Sequence, residues 1–110
     1  MLAIKLNTDG VAEEVQLGNE GSQLKELQEA VGGWIQAVDL SDTLTMWLNE
    51  EGKLNGLPLN TQATDLWEEV YGKTDFIVGN VIFTGGTGDE GETLGLNEDT
   101  ANKLRKLFGL

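Results

Sequence analysis

Leu2, Ile4 and Leu6 alternate with small or polar neighbours, the two-residue period of a half-buried strand. Asn7-Thr8-Asp9-Gly10 follows, and Asp-Gly between alternating segments is a strong hairpin signal. The return strand puts Val11, Val15 and Leu17 on one side together with Glu13, and a bulge is expected near Glu13-Glu14. Gly18 to Gly21 breaks this alternation. Ser22 is placed to cap a helix with the apolar stripe Leu24, Leu27 and Val31, leaving Lys25, Glu26 and Glu29 off it. Gly32-Gly33 ends that helix, because glycine enters the left-handed region without steric cost.

Trp34 to Leu40 then reads as a strand, Ser41-Asp42 as a turn, and Leu44, Met46 and Leu48 as the inner face of a second strand. Asn49 to Lys53 is a polar turn. Leu54-Asn55-Gly56-Leu57-Pro58-Leu59 is expected to cross the surface as an irregular arm with its leucines tucked inward. Asn60 is an N-cap, and Ala63, Leu66, Trp67 and Val70 fall at helical spacing after it. Phe76 to Phe83 is almost continuously apolar and rich in β-branched residues, as a central strand covered on both faces would be. A glycine-rich acidic loop spans Gly85 to Glu92. Asn97 caps a last helix with Ala101, Leu104, Leu107 and Phe108 inside and Gly109 as its stop. Glu98 and Asp99 in its first turn and Lys103, Arg105 and Lys106 in its last match the helix dipole.

The order is ββαββαβα. It predicts an α+β fold, a mostly antiparallel sheet of about five strands with two to three helices packed on it. Residues 1–110 read as a single domain, long enough to bury a core without a disulfide or metal staple, and without an internal repeat or dividing linker. No apolar run approaches the ~20 residues of a membrane span. The first six residues are too short and too cleanly alternating for a signal peptide, so the expected compartment is the cytoplasm.

Composition changes the picture most through what is missing. There is no histidine and no cysteine. No imidazole can shuttle protons near neutrality, no thiolate can attack a substrate, and no His/Cys set can hold zinc. Nineteen carboxylates face seven basic side chains, a formal net charge of -12. That charge repels nucleic acid and anionic membranes and favours a basic partner, although solubility or salt adaptation also accounts for it.

Several constellations remain as candidates. Glu13-Glu14, Glu50-Glu51, Glu68-Glu69 and Asp89-Glu90 are adjacent acids, but neighbours in a helix or strand point apart and form no dyad by themselves. The Gly85–Glu92 loop lacks the lysine of a phosphate cradle. Its Asp89, Glu90 and Glu92 are oxygen donors, but their spacing fits no established calcium loop, so no metal and no cofactor is expected. Gly33 and Trp34 could let a ligand approach the backbone against an aromatic platform; a helix stop followed by a core aromatic is the simpler reading. Pro58 and Asn60 are candidates to line the same cleft, with Lys53 among the few cations available to an anionic ligand. Trp47 lies opposite the Leu44/Met46/Leu48 face, so it is either an exposed interface anchor or covered by a second layer.

Leu24 to Ile35, Asn49 to Asn60 with Ala63-Thr64, and Ile77 to Val81 together resemble the DUF3846 family of unknown function, small proteins common in phages and other mobile elements. The similarity runs from about Leu2 to Leu96. The family usually has aspartate where this chain has Asn49 before Glu-Glu-Gly. The resemblance supplies no active site; it implies an accessory protein, for which counter-defence in the host cytoplasm is a common task. Two functions follow. The first is a non-enzymatic inhibitor that binds a basic host defence or DNA-binding protein by imitating nucleic acid, with Glu13, Glu14, Glu26, Glu29, Glu50, Glu51, Glu68, Glu69 and Trp47 as the partner surface. The second is a nucleotide-signal binding or sequestering protein using Gly33, Trp34, Lys53, Pro58 and Asn60, a use compatible with a homo-oligomer. A hydrolase ranks third, because no nucleophile–base pair is visible.

Overall fold

The computed structural model describes the backbone of residues 1–110 and every side chain except that of Glu20. Its elements are β1 (Leu2–Leu6), β2 (Ala12–Gln16), α1 (Glu20–Val31), β3 (Ile35–Ser41), β4 (Leu44–Asn49), α2 (Thr61–Tyr71), β5 (Val81–Thr84) and α3 (Glu98–Phe108). The five strands form one sheet in the order β2-β1-β5-β4-β3, with every neighbouring pair antiparallel. The expected α+β fold and ββαββαβα order are what the chain adopts.

Two hairpins, β1–β2 and β3–β4, are joined by the last strand. β5 slides between them and pairs with β1 on one side and β4 on the other. Its central place explains the apolar run from Phe76 to Phe83, but only Val81 to Phe83 of that run, with Thr84 after it, are strand. Phe76 to Asn80 forms an irregular approach, tied to the arm by a bridge between Leu59 and Val78.

Strand alternation splits the core in two. Ile4, Leu6, Met46, Val81 and Phe83 face α2 and α3, where they meet Ala63, Ala101, Leu104 and Phe108. Ala3 and Ile82 face the other way and pack with Leu17 against Leu27 and Val31 of α1. The molecule is therefore three layers, with α1 alone on one face. That division is what separates the charged side chains discussed below.

Local chemistry fixes the ends. Gly10 sits at φ 86° in the β1–β2 turn, and the Asp9 carboxylate accepts from the Val11 amide at 3.1 Å. The β1–β2 register is unbroken, so the bulge expected at Glu13-Glu14 is absent; the irregularity lies between Asp39 and Ser41 in β3. Asn19, not Ser22, caps α1, its side chain accepting from the Gly21 amide. The helix starts one turn early because Asn19 already offers an acceptor to the free amides. Gly32 ends α1 at φ 78°. Asn60 and Asn97 cap α2 and α3 as expected.

Several apolar positions differ from their expected placement. Leu24, Val70 and Leu107 are exposed at the margins of their helical stripes. In the arm, Leu57 is half-buried while Leu54 is 83% exposed and Leu59 is also exposed. The arm turns tightly, with the Leu57 amide bonded to the Gly52 carbonyl and Gly56 at φ 67°, and so small a loop cannot turn three leucines to one side.

Candidate functional site

The acidic candidates do not share a face. Glu13, Glu26 and Glu29 gather on the α1 side, lining a shallow hollow with Lys5, Val15 and Ile82. Glu14, next along β2, turns to the α3 side by strand alternation. There Arg105 grips it, with Nη2 at 2.5 Å and Nε at 3.0 Å from one carboxylate oxygen. The bond to Glu14 is the main cause pushing the Arg105 guanidinium above its ordinary value. Glu68 and Glu69 ride on α2, on that same side of the sheet, and Glu50 and Glu51 sit beyond the end of β4.

Of the two readings open for Trp47 the covered one holds, whereas Trp34, read most simply as a core aromatic, lies outside the core. Trp47 is half-buried beneath the α1 layer, packs with the Ile82 cluster, and donates its indole N–H to the Thr84 hydroxyl at 2.8 Å. Trp34 is the exposed one, at 64%. It follows the glycine stop of α1, and its carbonyl accepts from the Glu50 amide, which brings an aromatic side chain and an acidic turn to the same end of the sheet.

Asn60 is sealed inside, at 1% exposure. Its side-chain oxygen caps α2 at the Ala63 amide, and its nitrogen donates to the carbonyls of Leu6 (3.3 Å) and Gly79 (3.0 Å). One side chain thus ties β1, α2 and the approach to β5 together, with its polar atoms directed to internal partners.

Pro58 does line a cleft, together with Lys5, Thr8, Asn49, Asn55, Leu57 and Asn80; its volume is about 380 Å³. Gly32 lines it where Gly33 was expected, and neither Trp34 nor Lys53 reaches it. The three segments carrying the family resemblance meet here. Asn80 orients one wall, its side-chain oxygen accepting from the Thr8 amide at 3.1 Å. Asn49 is buried, bonding the Val31 carbonyl and the Glu51 amide. Sequence reasoning missed Lys5, Thr8 and Asn80; the polar Asn80 inside an apolar run was the available signal.

Lys53 belongs to a second hollow, about 120 Å³, with Val38, Leu48, Trp67, Asp75 and Phe76 among its walls. Its ammonium pairs with the Asp75 carboxylate and lies 4.3 Å from the centre of the Phe76 ring. The hydrogen bond from Lys53, then that from the Phe76 amide, holds the Asp75 carboxyl below its ordinary value. This is the place where a cation and aromatic walls converge.

The glycine-rich loop is a tight hairpin. Thr87 bridges Thr93, and the Glu92 carboxylate accepts from the Glu90 amide at 3.0 Å. Gly85 and Gly86 are buried where chain passes chain; a Cβ on Gly86 would stand 2.0 Å from the Asp42 carbonyl oxygen. Close packing of the two chain segments requires glycine there. Among the described residues no cluster of three acidic side chains is placed to hold a metal ion, and no helix is long and apolar enough to cross a membrane.

No curated protein and no solved structure matches the chain. The family model described as "Domain of unknown function (DUF3846)" matches residues 1–109, essentially the whole of it, and the chain belongs to that family.

Proposed function

We propose that this chain is a non-catalytic binding protein whose partner is a basic protein. The observation that carries the reading is the state of its carboxylates. Ion pairs among the described residues engage Glu14, Asp75 and Glu98. The other described carboxylates have no such partner, and all of them are exposed or half-exposed. Such a surface projects negative potential in every direction, which steers a cationic partner and speeds its docking. Partly hydrated carboxylates also lack the dry surroundings that raise an acid into the range useful for catalysis.

The partner class follows from the family context. A small acidic accessory protein of a phage or mobile element fits a host defence or DNA-binding factor, whose basic groove it would occupy in the host cytoplasm. Because the sheet divides the acids between two faces, the imitation of nucleic acid is one of overall charge more than of a single phosphate-like row. The test is competition. A partner captured by the purified protein should be released by duplex DNA and by salt, and its own DNA binding should be inhibited. Capture that ignores both competitors overturns the proposal.

The amide-lined cleft favours a second reading, a small polar ligand. Lys5, Thr8, Asn55 and Asn80 offer donors in one place, although Glu29 at the rim opposes an anion. Titration with nucleotides, followed by backbone and amide NMR, should move Thr8, Asn55 and Asn80 if this reading holds. Unmoved resonances at millimolar nucleotide remove it.

A further inference from the structure

β3 is an edge strand, and its hydrogen-bonding parity can be read from one bond. The Glu50 amide donates to the Trp34 carbonyl at 2.8 Å, so Gln36 and Val38 turn their backbone groups toward β4. Ile35, Ala37 and Asp39 turn theirs outward. The Asp39 carbonyl confirms this direction: it accepts the Tyr71 hydroxyl, which reaches it from α2 on the outer side. Tyr71 stacks on Trp67, ring centres 4.4 Å apart, and both Tyr71 and Val70 are exposed. The end of α2 therefore overhangs the free edge. Against the same face of β3 lies the hollow walled by Val38, Leu48, Trp67 and Phe76.

We propose that the β3 edge accepts an extended basic segment of the partner as a sixth strand. This deepens the basic-partner reading and rests on it. Outward N–H and C=O groups of Ile35 and Ala37 supply the main-chain bonds, as in other strand additions. Side chains of the added strand alternate between faces. Those on the α2 side meet the Val38, Leu48, Trp67 and Phe76 walls of that hollow, which Glu50 and the Lys53–Asp75 pair also line, and those on the opposite side meet Asp39. Asp42 and Glu50 flank the two ends of the strand, while Lys53, in the adjoining hollow, is already held by Asp75. The segment that fits is thus one of alternating apolar and basic residues. A second copy of this chain fits poorly, because it brings another charge of -12 to the same edge.

The probe is a short peptide of alternating Lys and Val, with its Glu-Val counterpart as control, followed by NMR amide exchange at low salt. The expected result is slowed exchange of the Ile35, Ala37 and Asp39 amides with the Lys-Val peptide and no change with the control. Ala37→Pro removes an N–H that takes no part in the β4 ladder, and edge prolines are tolerated when that position faces solvent. It should weaken binding about tenfold or more, and Asp39→Lys, which leaves the backbone intact, should weaken it as well. Binding elsewhere, without protection at these amides, overturns the strand addition and leaves the basic-partner reading standing. No binding of either this peptide or poly-lysine overturns both. Protection of β3 without peptide, in a dimer, assigns the edge to a second copy and overturns the proposal.

Discussion

At the scale of single residues, Asn60 shows how a polar side chain can be indispensable without touching a ligand. Alanine there removes an N-cap and the amide that donates to the carbonyls of Leu6 and Gly79, leaving the Gly79 carbonyl without that partner. A lost cap costs ~1 kcal/mol, and each unsatisfied buried group ~1–3. Asn60→Ala should therefore lower the urea-unfolding free energy by ~2–4 kcal/mol. Asn60→Asp should do no better, because it keeps the cap acceptor but turns a carboxylate toward both carbonyls; a variant as stable as wild type refutes this account. Asp75 gives a smaller, pH-dependent effect. Its folded pKa is depressed, so its contribution is present above the unfolded carboxylate value near ~3.9 and is lost as pH falls through the lower folded value. The pair is exposed, which limits it to ~1 kcal/mol or less. Stability curves of Asp75→Asn and wild type should converge below that window and separate above it.

At the scale of elements, the sheet is only as strong as β5. Four residues carry both ladders that join the hairpins, and Phe83 is fully buried against Phe108, ring centres 5.6 Å apart. Phe83→Ala should cost ~3–5 kcal/mol, enough to unfold many domains of this size, whereas Leu107→Ala on exposed α3 surface should cost well under 1 kcal/mol. Thermal unfolding of the two variants reads the difference directly. Local signals located these elements well. Alternation found β1 and β4, asparagine caps marked the starts of α2 and α3, and Gly109 marked the end of α3. The early part of the Phe76–Phe83 run was misassigned because continuous hydrophobicity marks burial, and Ile77 and Val78 are buried in an irregular segment just as Val81 is buried in a strand.

At the scale of the whole molecule, net charge acts on stability as well as on binding. Unpaired carboxylates repel one another in the folded state more than in an expanded chain. Salt screens that repulsion over a Debye length of ~8 Å at physiological ionic strength. The melting midpoint should rise with NaCl, by ~4–8 °C for each ~1 kcal/mol of repulsion relieved. Association with the basic partner should move oppositely, slowing as salt is added. A melting midpoint that falls with moderate NaCl would show that attractive pairs such as Arg105–Glu14 outweigh the repulsion.

Read alone, the amino-acid order determined the class of fold, most element positions, the sign of the exterior and the absence of imidazole and thiol chemistry. These follow from short-range periodicity and from counting, which need no knowledge of neighbours distant in the chain. The tertiary structure decided which side chains share a face. It set α1 alone on one side of the sheet, dividing Glu13 from Glu14, covering Trp47 and leaving Trp34 in water. It also turned Asn60 inward and left the outer edge of β3 open. Those outcomes depend on where β5 inserts between two hairpins, a pairing between segments far apart in the chain that no local pattern encodes.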